Sequence, residues 1–428
     1  MKFVTDIKKE KYEKFVKNHK KSHFLQSYAW GEFSKKARGL IPHYVGLTDN
    51  KGNLKCATLL LEKKLPFNYS YFYAPRGYII DFEDIKLLKE FTEKIIEYTK
   101  QFKSIFIKID PDIIWNKYNY KDEKIDLDNN AKDIFNTLTN LGYKHLGFTK
   151  NFETMQPRYT FRIDMNQTMD DIISKFNKTN KQRINKGKEL NALIKIGNSS
   201  DILEFNKLME LTENRKDFIS HDYNYYKNLY DIYTKDNEIA LFMGSIKCSN
   251  VIKKYEDEKD EICKKIPKLN TNSASSKRKK EEYEKRIDKL NQYIEEYKEA
   301  KEKYGDEITL ASQFIIIYGN KSWALYAGNH NVLLDSCVNY ATYYENIKYC
   351  YEKGIKVYDH FGTIGDLRKE NPRYGLHIFK KKFGGDYIEF MGEFDLITNK
   401  LMYFIFTKLV PLYRNIIKKL SKLKKKKN

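Results

Sequence analysis

Two charged residues stand where this chain could place chemistry. Lys380 lies in GLHIFKKKFGGDYIEFMGEFD, residues 375–395, where three lysines separate an apolar, strand-like run from a glycine pair. Asp110 follows the apolar run SIFIKI and precedes Pro111, which reads as the end of a buried strand. A lysine beside a phosphate or a developing oxyanion, with a carboxylate near an attacking amine, suits transfer of an already activated acyl group. Such transfer needs two aligned substrates and no cofactor or metal. Each residue also has a plainer reading: an Asp before Pro often caps a turn, and Lys381 and Lys382 read as a solvated strand end.

Other chemistries find no residues to carry them. The sequence has no G-x-x-x-x-G-K-[ST] phosphate loop, no dinucleotide fingerprint after its first strand and no G-x-S-x-G elbow. Its eight histidines include no H-E-x-x-H pair, so His221, His360 and His377 read as structural or surface residues. The five cysteines form no C-x-x-C pair and are odd in number, which points to reduced thiols in a cytosol.

The elements that must position the two residues alternate between strand and helix. HYVGLTDNKGNLKCATLLLEKKL reads as a hairpin turning at Asp49 to Asn53, LLKEFTEKIIEYTKQF as a helix and SIFIKIDPDI as a strand. A comparable order returns after residue 151, which predicts two similar mixed α/β domains, 1–150 and 151–391. Between the strands EIALFMGSIK and EITLASQFIIIYG lies a charged insertion, residues 247–305. Its seam residues step by four and three, through Cys248, Ile252, Tyr255, Lys259, Ile262, Ile266 and Leu269, then Tyr283, Ile287, Leu290, Ile294, Tyr297, Lys301 and Tyr304. That spacing predicts two antiparallel helices forming a coiled-coil arm, the first ended or kinked by Pro267.

With 79 basic against 58 acidic residues the formal charge is +21, which favours polyanions or anionic surfaces as partners. No run approaches the roughly 18 to 20 apolar residues of a membrane span, so a cytoplasmic protein, at most peripheral, is expected. From Leu401 an apolar, aromatic segment passes into a lysine-rich tail, 413–428, without an acid. The tail reads either as an attachment to an anionic membrane surface or as a packed terminal helix with solvated lysines.

Six segments in order, SHFLQSYAWGEFSKKARG, KIDPDI, ALYAGNH, VYDHFGTIGD, GLHIFKKKFGG and MGEFD, resemble the Fem family of tRNA-dependent aminoacyltransferases, which build peptidoglycan cross-bridges. The resemblance implies an α/β fold of two acyl-CoA N-acyltransferase-like (GNAT) domains with the arm inserted in the second, and residues 392–428 completing the first. It implies no cofactor, an aminoacyl-tRNA donor, and lipid II or UDP-MurNAc-pentapeptide as acceptor, with glycine, alanine or serine transferred. Lys380 then matches the lysine that neutralises charge at the tRNA end or in the intermediate, and Phe379 its preceding aromatic. Asp110 matches a carboxylate near the acceptor amine, while Tyr226 and Tyr326 match tyrosines of the precursor site. Two positions depart: Ser34 stands where a lysine is usual, and Asp222 where an arginine often grips precursor phosphate. Lys35, Lys36 and Arg215 are the candidate substitutes. The rival expectations are an acyl-CoA-dependent N-acyltransferase, whose pyrophosphate loop is not evident, and a non-catalytic basic RNA-binding protein.

Overall fold

The computed structural model describes residues 1–127, 130–215, 220–269 and 273–410. Strands and helices alternate as mixed α/β, and the strands form two sheets. In the first, Lys2–Val4, Ile41–Thr48, Leu54–Lys64 and Ser70–Ala74 pair antiparallel in sequence order. The helix Ile85–Lys100 then carries the chain across to Ser104–Ile109, which joins parallel. The second sheet repeats this wiring with Leu193–Gly197, Ile239–Lys247, Glu307–Tyr318 and Lys321–Asn329. Here the helix Val338–Glu352 leads to the parallel strand Val357–Asp359.

Local chemistry accounts for these elements. The Asp49 carboxylate accepts from the Lys51 and Asn53 amides at 3.0 and 2.8 Å, which closes the first hairpin. Asp84 caps the helix Ile85–Lys100, which buries Leu87, Leu88, Phe91 and Ile95 on one face against the first sheet. A second core, containing Phe24, Trp30, Phe33, Tyr233 and Trp323, joins residues of both halves.

The chain passes between the sheets four times, and two of these crossings meet. Ser104–Ile109 belongs to the first sheet, but after Asp110–Ile113 the strands Ile114–Tyr118 and Lys124–Ile125 pair in the second. This hairpin of the expected unit 1–150 thus adds to the second sheet, and Tyr143–His145 returns to the first. Pro111 has no amide hydrogen to continue the ladder, and the chain turns out of the first sheet there. In return, Asp386–Phe390 pairs with Tyr159–Asp164 and Ile114–Tyr118 in the second sheet, while Phe394–Ile397 pairs in the first between Ser104–Ile109 and Tyr143–His145. The two crossings lie side by side, with the Met391 amide donating to the Ile113 carbonyl at 2.9 Å.

The insertion consists of two helices, Cys248–Lys265 and Ala274–Tyr304, the second 31 residues or about 46 Å long. They run antiparallel: the Tyr255 ring lies 5.4 Å from that of Tyr293, and further out Glu258 pairs with Arg286 at 2.7 Å. Tyr255, Ile262, Leu290, Ile294 and Tyr297 are buried between them. Val251 and Ala300 are buried as well, whereas Lys301, expected on the seam, is exposed. The first α-helix stops at Lys265, and Pro267 sits in the single 3-10 turn Ile266–Lys268 that follows. Asp306 ties the two feet of the insertion together, accepting from the Ser249 amide and hydroxyl at 2.9 and 2.7 Å. The lysine-rich tail, 413–428, lies outside the described residues. Among the described residues no helix is long and apolar enough to cross a membrane.

Candidate active site

Asp110 sits on the first sheet-to-sheet crossing. Its carboxylate accepts from the Tyr73 hydroxyl at 2.9 Å and the Arg76 amide at 2.6 Å, and it is buried. Burial, helped by the nearby Glu393 carboxylate, lifts its pKa to about 7 against the opposing pull of Arg76 and Tyr73. The Arg76 guanidinium stacks 4.2 Å from the Phe390 ring centre and donates to the Pro157 carbonyl at 2.6 Å. The aspartate is therefore held by Tyr73 and the turn after it, and the Arg76 side chain ties that turn to the second sheet.

Lys380 corrects one expectation. The run before it is a helix, Tyr374–Lys381, rather than a strand. Its last turn places Lys380 inward, buried, with the ammonium donating to the carbonyls of Phe361 and, at 2.6 Å, Gly362. Both acceptors lie in a tight turn with φ of +48° and +59°. Burial pulls the lysine down to about 7, opposed by Asp359. Lys381 instead reaches Asp122 at 2.5 Å, and Lys382 closes the helix end. Phe379 packs its ring against Tyr340, Tyr343 and Phe383, supporting the helix from the side.

Arg162 connects the two neighbourhoods. It donates to both oxygens of Asp112, at 3.1 and 2.7 Å, and to Asp359 at 2.8 Å. Asp112 lies two residues beyond Asp110, and Asp359 accepts the Phe361 amide at 2.8 Å, beside the carbonyls that hold Lys380. Burial would raise the Asp112 pKa, but Arg162 and Lys321 hold it well below the ordinary carboxylate range. Lys321 itself is lowered to about 8 by burial. KIDPDI and VYDHFGTIGD contain both carboxylates, but no spacing relates them to Arg162, and sequence reasoning missed all three.

The remaining candidates gather elsewhere along the second core. Tyr226 and Tyr326 come together, with ring centres 5.5 Å apart, and the Tyr326 and Tyr225 hydroxyls share a 3.0 Å hydrogen bond. His221 stacks on Tyr225 at 3.6 Å, and its amide donates to the Tyr226 hydroxyl at 3.2 Å. The helix Tyr28–Arg38 of the first half brings Phe33 within 4.9 Å of Tyr225. Asp222 is the cap of the helix Tyr223–Thr234, accepting the Tyr225 amide at 2.8 Å, so it is committed to the fold. Ser34 is buried, and Lys35 and Lys36 are exposed on the last turn of their helix. The cation whose field reaches His221, Tyr225 and Tyr326 is Arg38, on the same turn, which sequence reasoning also missed. Arg215 ends the helix Ile202–Arg215, and its side chain lies outside the described residues.

Among the described residues no group of three or more His, Cys, Asp or Glu is arranged to hold a metal ion. Two surface cavities, of about 420 and 500 Å³, are lined around Trp115 and Asp133 and around Asn191 and Lys254, and include neither Asp110 nor Lys380. A substrate oxygen that approaches the Lys380 ammonium competes with the Phe361 and Gly362 carbonyls for its protons.

Comparison with known proteins bears on this arrangement. The lipid II:glycine glycyltransferase of Staphylococcus epidermidis is 28% identical over 427 residues, covering 98% of this chain and 99% of that protein. The Staphylococcus aureus protein of the same name is 28% identical over 431 residues, with the same coverage. The crystal structure of FemX superposes with a TM-score of 0.74 at 26% identity, covering 94% of this chain and 99% of that one. The FemAB family model matches residues 7–410, a span that takes in both sheets, the inserted helices and the crossing that carries Asp110. The chain belongs to the FemAB family.

Proposed function

We propose that this chain transfers glycine from aminoacyl-tRNA to the stem-peptide amine of lipid II, in synthesis of the peptidoglycan bridge. The observation that carries the reading is the placement of Asp110 and Lys380, a buried carboxylate and a buried ammonium whose neighbourhoods are linked through Asp112, Arg162 and Asp359. Its likeness to relatives named for glycyl transfer to lipid II supports the choice of substrate. The acceptor amine attacks the ester carbonyl, forming the C–N bond and an oxyanion, and gives its proton to the Asp110 carboxylate. The Lys380 ammonium stabilises the oxyanion. Collapse breaks the ester C–O bond, and the leaving ribose oxygen takes the proton held by Asp110, which returns the carboxylate to its ionised form. The Tyr225, Tyr226 and Tyr326 cluster, with Arg38, binds the precursor.

The formal charge of +21 favours a polyanionic donor. Alanine and serine differ from glycine by groups small enough that discrimination is worth only about 1–3 kcal/mol. Incubating the protein with lipid II and glycyl-, alanyl- or seryl-tRNA tests the proposal. The expected product is lipid II carrying one glycine on its stem peptide, and absence of transfer from every charged tRNA refutes it.

A further inference from the structure

The first half carries an apolar face that the proposed reaction does not use. Its floor is the cluster of Ile105, Phe106 and Tyr403, with Tyr71 stacked on Phe106 at 5.1 Å and Phe406 at 5.8 Å from it. Two elements rise from this floor. One is the turn Pro66–Asn68, where Leu65 and Tyr69 pack on the cluster and Phe67 stands 87% exposed. The other is the end of the described chain, the helix Lys400–Phe404 and the turn Ile405–Leu409, which exposes Leu401, Phe404 and Leu409. Hydrogen bonds from Thr398 and Asn399 to the Ile105 carbonyl fix this second element beside the first.

The turn is unusual for its sequence. Phe67 and Asn68 have φ of +60° and +62°, the left-handed conformation that two-residue hairpins normally give to Asn and Gly. A phenylalanine there bears a backbone cost and leaves its ring largely in solvent, which points to a use outside the folded chain.

Charge says what kind of partner fits. The three segments that build this face, residues 63–72, 99–107 and 396–410, contain six lysines and no acid. Lys64 is paired with the buried Glu62, while Lys63, Lys103, Lys400 and Lys408 are exposed. The next 18 residues of the sequence, 411–428, add eight lysines and arginines, again without an acid. Apolar side chains ringed by lysines match the headgroup and upper acyl region of an anionic bilayer, where rings insert and ammonium groups meet phosphate.

We infer that Phe67, Leu401 and Phe404, with the surrounding lysines, form a docking face for an anionic lipid surface. The face is independent of the acyl-transfer step. Ring insertion and lysine–phosphate contact act together here, because an apolar contact alone gives only marginal attachment.

The test is co-sedimentation of the full chain with vesicles of phosphatidylcholine, alone or with one third phosphatidylglycerol, at low and high salt, and with no tRNA or lipid II present. Phosphatidylglycerol vesicles are expected to carry down the protein, and the variant Phe67→Ser/Phe404→Ser to bind at least roughly tenfold more weakly. Circular dichroism checks that the variant is folded, and both positions are exposed. Glycyl transfer to a detergent-dispersed acceptor is expected to be unchanged in that variant, which separates failure of docking from failure of the reaction. Equal binding of variant and parent overturns the inference. So does tighter vesicle binding by a chain ending at Val410, since residues 411–428 would then cover the face. A dimer in sedimentation equilibrium that dissolves in the double variant also overturns it, in favour of a second copy.

Discussion

Replacing Arg162 with methionine tests the link between the two halves of the site. The guanidinium makes three charge-assisted hydrogen bonds, two to Asp112 and one to Asp359, and it stacks 4.9 Å from the Phe390 ring centre. Both carboxylates are buried. Methionine keeps most of the stem's packing but leaves two negative charges facing each other with their shared cation gone. Removing one partner from a buried ion pair costs about 3–5 kcal/mol. Asp359 keeps the Thr160 hydroxyl and the Phe361 amide, and Asp112 keeps the field of Lys321, so the lower end of that range, about 3 kcal/mol, is expected. Urea unfolding followed by tryptophan fluorescence measures it. The sign with pH is fixed: Asp112 has a depressed pKa when folded, so it stabilises above its unfolded value near 3.8 and that contribution is lost as pH falls through the folded value. Since Arg162 is the largest source of that depression, the deficit of the variant is greatest above pH 4 and shrinks in acid. In a cycle with Asp112→Asn the two changes couple by about 2 kcal/mol, because the second removes a charge the first has orphaned. Turnover falls as well, through the Asp359 contact to the turn holding Lys380. A loss below about 1 kcal/mol, or a deficit independent of pH, refutes the reasoning.

In the proposed mechanism Asp110 acts ionised and Lys380 protonated, so the rate of transfer should fall below and above pH 7 in a bell with one limb from each group. Asp110 also enters stability: its folded pKa is raised, so its contribution is complete below 3.8 and is lost as pH rises through about 7, and Asp110→Asn should remove that decline in a series of thermal melts. Arg38→Gln is expected to raise KM for the precursor by about tenfold with kcat nearly unchanged, measured by steady-state transfer, since this exposed cation contributes field rather than packing. Leu290→Ala removes a fully buried side chain from between the inserted helices and should cost about 2–5 kcal/mol there, seen as faster amide hydrogen exchange in 248–304 with the sheets unaffected.

The elements most legible in the sequence were those whose pattern is local. The hairpin at Asp49–Asn53, the strand stopped by Pro111 and the strands Ile239–Lys247 and Glu307–Tyr318 on either side of the insertion stand where periodicity and turn residues put them. The segment before Lys380 was misread because the eight residues YGLHIFKK satisfy either period, and the packing of Phe379 against Tyr340 and Phe383 decides for helix. The exchange of Ile114–Tyr118 into the second sheet is set by its partner Asp386–Phe390, some 270 residues away, which no window contains. The Arg162 link fails the same way, since Asp112, Arg162 and Asp359 meet only in the folded chain. Asp222 and Ser34 show the converse: their departures from the family pattern are plain in sequence, but only the helix cap and the buried helix face explain what those residues do instead.

The central claim is that the Lys380 ammonium stabilises the reacting centre during glycyl transfer to lipid II. Single-turnover transfer from glycyl-tRNA by Lys380→Met tests it most directly, with glycyl–lipid II followed by mass spectrometry. The account predicts a chemical step slowed by about 10² to 10³, with tRNA and lipid II affinities within a few-fold of the parent. An unchanged single-turnover rate in a folded Lys380→Met protein would contradict it.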